Sequence, residues 1–103
     1  MIKHLIAIPT LLFAAHASAG CPTSFPAEQP IVPDGRSASE AEMYRAQVAV
    51  KAYIDNIETL LECRTTLIPL QQNRGVFLAE QVANDYNEAL QEYREKTSLA
   101  AAN

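Results

Sequence analysis

Between Met43 and Leu60 the apolar residues recur at alternating spacings of three and four: Met43, Ala46, Val50, Tyr53, Ile57 and Leu60. That spacing is the footprint of one stripe along an α-helix, and a stripe of this kind must find another surface to cover it. Ile54 and Leu61 widen the stripe by one position. Upstream, either Ser37 with Glu40 or Ser39 with Glu42 can form a reciprocal capping box that starts the helix. Arg64 takes the next seam position, and Pro69 both lacks a backbone donor and biases Ile68 away from helical angles. The pattern predicts helix one over about 38–66, with a break or kink near 65–69.

Gln71-Gln72-Asn73-Arg74-Gly75 is polar and ends in glycine, so it reads as a connector. A second helix is predicted over about 75–98, its seam carried by Val76, Ala79, Ala83, Tyr86, Leu90 and Tyr93 and widened by Val82 and Ala89. Glu92 and Lys96 are placed for an i to i+4 ion pair, and Arg94 and Lys96 would sit at the negative end of the helix dipole. Residues 99–103 have little to bury and read as a tail. Two amphipathic helices with a short connection pack most simply as an antiparallel hairpin with coiled-coil-like contacts, and this all-α architecture is the expected fold.

Ahead of the helices, residues 20–36 contain Pro22, Pro26, Pro30 and Pro33, which remove amide donors and hold the chain extended. Pro33-Asp34-Gly35 then supplies a turn, with glycine expected to permit a positive φ. The arm spans enough distance to run back along helix one: 16 steps at the polyproline rise cover about 50 Å, against about 39 Å for 26 helical steps. Ala49 and Asn56 share an edge with Cys63 and leave room for it, so the arm is expected to pack there.

Residues 1–19 read as a cleaved export signal. Met1-Ile2-Lys3-His4 is a basic start, Leu5 to Ala15 is an apolar stretch too short to span a bilayer, and Ala17-Ser18-Ala19 supplies small residues for cleavage. The expected address is the periplasm or the exterior. Both histidines, His4 and His16, fall inside this segment, so the remaining chain has no imidazole for Ser-His or Cys-His catalysis or for metal ligation. Removal also takes away Lys3, leaving seven basic residues against twelve carboxylates and a net charge of −5. That balance repels phosphate backbones and anionic headgroups, so neither nucleic acid nor a membrane surface is an expected partner.

Two cysteines without metal-type spacing in an exported chain point to a Cys21–Cys63 disulfide. Closing a 42-residue separation constrains the unfolded chain by about 4 kcal/mol in the loop-entropy model. The competing reading is lipidation of Cys21 after signal cleavage, since Ser18-Ala19-Gly20 presents small residues immediately before it. That would anchor the protein to a membrane and leave Cys63 unpaired.

Glu58 with Glu62, and Glu88 with Glu92, lie one helical turn apart, an arrangement that solvated helix faces produce routinely. No catalytic, cofactor-binding or metal-binding residue is assigned. Tyr53, Tyr86 and Tyr93 belong to the seams as core, whereas Tyr44, Val48 and Phe77 fall off them and form the candidate partner surface.

Cys21-Pro22, Pro33-Asp34-Gly35, Ala38, Glu42-Met43, Ala46-Gln47, Val50-Lys51-x-Tyr53, Cys63 and Tyr86-Asn87, in that order, resemble small exported helical proteins of Gram-negative bacteria. The resemblance covers most of the chain after the signal and implies an address and a hairpin, with no activity, cofactor or catalytic residue. A weaker likeness, through Glu42-Met43 near the first helix start and the cysteine staple, is to the helical domains grouped with lysozyme inhibitors. The chain departs from these in having two cysteines and no tryptophan, and the likeness would imply inhibition of a cell-wall hydrolase. The expected function is therefore non-enzymatic action through protein contacts, with a homodimer forming a four-helix arrangement as one form of it. An envelope inhibitor or ligand-binding module is the alternative.

Overall fold

The computed structural model describes residues 21–102, and the export signal expected over residues 1–19 lies outside them. Two helices, α1 (Glu40–Cys63) and α2 (Pro69–Ala102), pack against each other, and the described residues contain no strand. The helices run antiparallel. At one end the Tyr86 hydroxyl donates to the Met43 carbonyl at 3.4 Å, and at the other Gly75 faces Leu61.

All six residues of the predicted α1 stripe are buried, with Ile57 and Leu60 fully enclosed. Of the two capping boxes, Ser39 with Glu42 is the one that forms. The Ser39 N–H donates to Glu42 Oε1 at 2.8 Å, and the Glu42 N–H donates to Ser39 Oγ at 3.1 Å. The helix ends earlier than the pattern suggested. Arg64 leaves helical angles at φ −98° and ψ 104° while its N–H still reaches the Leu60 carbonyl at 3.0 Å, and Thr65-Thr66 form the turn.

The second helix departs from expectation at both ends. The predicted connector 71–75 is helical, because Pro69 stands at the first helical position, where its missing N–H has no partner to lose. Gln71 Oε1 accepts the Ile68 N–H at 3.1 Å, which satisfies a donor at the helix start. The predicted tail is helical through Ala102, consistent with a run of alanines, the residue that forms helix most readily. The buried line also shifts. Gly75, Leu78, Val82, Tyr86 and Ala89 are buried, Ala79, Ala83, Leu90 and Tyr93 are half-buried, and Val76 is exposed. The shift has a physical cause: α2 has neighbours on two sides, α1 and the arm, so its covered face is turned toward the groove between them.

The arm accordingly contacts both helices, where the sequence placed it along helix one alone. Near its start Phe25 packs by Gly75 and Leu61, further on the Gln29 amide donates to Gln81 at 3.3 Å, and Gly35 lies against the α2 backbone at Ala89 and Tyr93. Pro26 and Pro30 share a shallow hollow with Ala49, Tyr53 and Asn56 of α1, the edge that was expected to receive the arm. The turn at Pro33-Asp34-Gly35 forms, with Asp34 Oδ1 accepting the Arg36 N–H at 2.9 Å and the Asp34 carbonyl accepting those of Ser37 and Ala38. No glycine among the described residues has a positive φ, so Gly35 is needed for close approach and not for turn angles.

Candidate functional site

Cys21 and Cys63 are brought together in a disulfide with Cα atoms 5.7 Å apart. A disulfide suggests an oxidising, extracytoplasmic setting, and among the described residues no helix is long and apolar enough to cross a membrane. The bond occupies the thiol that lipidation of Cys21 would require.

The candidate partner residues are all exposed: Tyr44 at 64%, Val48 at 52% and Phe77 at 57%. They do not form one patch. Tyr44 and Val48 lie one turn apart on the face of α1 opposite its buried stripe. Phe77 is on α2, two residues after Gly75, at the end where Leu61 sits, roughly 15 Å along the axis from the Tyr44–Val48 pair. Sequence reasoning also missed the exposed apolar residues Ile68 and Leu70 around the start of α2, because they flank Pro69 and belong to no seam.

Charged side chains line a hollow at each end of the hairpin. At the open end of the hairpin Asp34, Asp85, Glu88 and Glu92 surround a hollow beneath the arm's turn, and Arg36 pairs there with Glu92 at 3.7 Å. The expected Glu92–Lys96 pair is therefore replaced. Lys96 instead donates to the Ala38 carbonyl at 2.7 Å, next to the start of α1, and its ammonium stands 4.9 Å from the Tyr93 ring centroid. Glu42 is held below the usual carboxylate pKa, first by the Ser39 backbone N–H, then by the Ser39 hydroxyl, with Arg45 and Lys96 adding a smaller pull against a slight burial penalty.

At the connector end lies a second hollow, about 270 Å³, with Arg64 and Arg74 among its lining residues together with Phe25, Leu60 and Leu67. Arg64 Nη1 donates to the Thr23 carbonyl at 3.0 Å, which ties the arm to the end of α1 beside the disulfide. The sequence carried no signal for this hollow, since Arg74 read as part of a connector and Arg64 as the end of a stripe. Among the described residues no group of three His, Cys, Asp or Glu side chains is arranged to hold a metal ion.

No protein-family model matches this chain, and no curated protein or solved structure is significantly similar to it.

Proposed function

We propose that this protein is an exported, non-enzymatic helical protein of the periplasm that acts through protein contacts. The observation that carries the reading is the pairing of Tyr44 and Val48, two large apolar side chains exposed one turn apart on a helix whose inner stripe is already filled. Export is supported by the basic, apolar and Ala-x-Ala segments of residues 1–19 and by the disulfide. With that segment removed the chain contains no histidine, which supports a role other than acid–base catalysis. The simplest partner is a second copy, joined through the outer face of α1 to make four helices.

Sedimentation equilibrium over a wide concentration range tests this. A dimer that forms with concentration and is lost in Val48→Glu is the expected result. A monomer at every concentration removes the homodimer, and a dimer indifferent to Val48→Glu removes this face as its interface. The intact mass of protein recovered from the cell envelope checks the address, and a mass that retains residues 1–19 would contradict export.

A further inference from the structure

We propose that the hollow at the connector end binds a small organic acid, a carboxylate carried on an apolar chain of about six to eight carbons. The hollow is lined by two arginines, Arg64 and Arg74, together with the apolar Phe25, Leu60 and Leu67. Leu60 is almost wholly buried, and Phe25 and Leu67 are half-buried, so the apolar surface is set into the fold and not spread over a flat exterior. Its volume, about 270 Å³, falls just below the usual range of ligand sites, which limits the occupant to a short chain.

The charge arrangement selects an acid. The two ion pairs among the described residues engage Arg36 and Lys51, so Arg64 and Arg74 have no carboxylate within ion-pair distance there, in a chain whose acidic residues outnumber its basic ones. Arg64 is also pre-positioned. One of its terminal nitrogens is fixed on the Thr23 carbonyl, which orients the guanidinium while leaving other N–H groups for a ligand. A guanidinium held in this way recognises a carboxylate through charge-assisted hydrogen bonds and loses little side-chain freedom on binding. A neutral alcohol of the same chain length would gain the apolar contacts alone.

The site also depends on the staple. Thr23 and Phe25 belong to the arm, two and four residues from Cys21, and the Cys21–Cys63 bond holds that stretch against the ends of both helices. Reduction is therefore expected to weaken binding even where the helices persist.

The experiment is a titration of the oxidised, disulfide-bonded protein with octanoate, followed by amide and arginine side-chain shifts in NMR spectra, with octanol and acetate as comparison ligands. The expected result is saturable binding of octanoate that perturbs Thr23, Phe25, Arg64, Leu67 and Arg74. Octanol and acetate should each bind at least about tenfold more weakly, and Arg74→Gln should weaken octanoate by about tenfold. Arg74 is exposed, so its replacement leaves the fold intact, which the unperturbed remainder of the spectrum verifies. Equal affinity for octanoate and octanol would overturn the proposal, as would shifts centred on Tyr44 and Val48, an Arg74→Gln variant that binds as the parent does, or no binding at all.

Discussion

Gly35 and Gly75 are both places where the arm and a helix approach closely, and they respond to substitution through different atoms. A Cβ on Gly35 would overlap the Ala89 carbonyl oxygen and stand 2.9 Å from the Tyr93 nitrogen, both parts of a helix backbone that has no room to yield. Gly35→Ala is therefore expected to lower stability by about 1–3 kcal/mol, the usual scale of overpacking, despite the entropy that alanine removes from the unfolded chain. Urea denaturation checks this, and a neutral or stabilising result would show that the turn does not sit on α2. At Gly75 the obstacle is softer, the Phe25 ring edge at 2.8 Å and a Leu61 methyl at 3.0 Å. Alanine there gains about 1 kcal/mol of helix propensity and loses contact with a ring that must shift. In a Phe25→Leu background the ring edge is gone and only the Leu61 methyl must give, so Gly75→Ala should become stabilising by up to about 1 kcal/mol. The same effect in both backgrounds would mean that Phe25 does not pack on this glycine. Neither role was legible from the sequence, where Gly35 read as a turn residue and Gly75 as a connector, because a close approach between distant segments leaves no local pattern.

Helix α1 was the most legible element, since its stripe, its capping residues and its relation to Cys63 all lie within one short stretch governed by local rules. Helix α2 was less so. Its buried line depends on where the arm lies, which sequence periodicity does not register, and its start was misread because Pro69 both ends and begins helices. The capping box of α1 gives the clearest pH-dependent term. The Glu42 carboxylate accepts the Ser39 N–H, and its folded pKa lies below the unfolded value of 4.5. A depressed carboxylate pKa contributes stability above the unfolded value, and that contribution is lost as pH falls through the folded one. The stability gap between the parent and Glu42→Gln should therefore be constant near neutrality and narrow as pH drops below 4.5. A gap independent of pH would indicate that the charged form is not the one bonded to Ser39. Ser39→Ala, which removes the other half of the box, is expected to cost about 1 kcal/mol at neutral pH, measurable by thermal or urea unfolding.

At the scale of the whole molecule, two helices with one filled seam have a modest core, and the arm with its disulfide supplies what the seam lacks. Phe25 and Val32 pack against the core from the arm, while the Arg64–Thr23 and Gln29–Gln81 hydrogen bonds fasten it along the way. The bond between Cys21 and Cys63 acts on a 42-residue separation and so removes much of the freedom of the unfolded chain. Replacing both cysteines by serine should lower stability by about 2–4 kcal/mol. The loss should not be uniform. Helix α1 with α2 keeps its buried seam, whereas the first part of the arm, from Pro22 to Gln29, keeps only a few side-chain contacts and two hydrogen bonds. Hydrogen exchange on the double variant should therefore accelerate first at the arm and the connector, with the amides of Ile57, Leu60 and Val82 the last to exchange. Loss of protection in all these segments together would mean instead that arm and helices form one cooperative unit, and that the hairpin has no standing of its own without the staple.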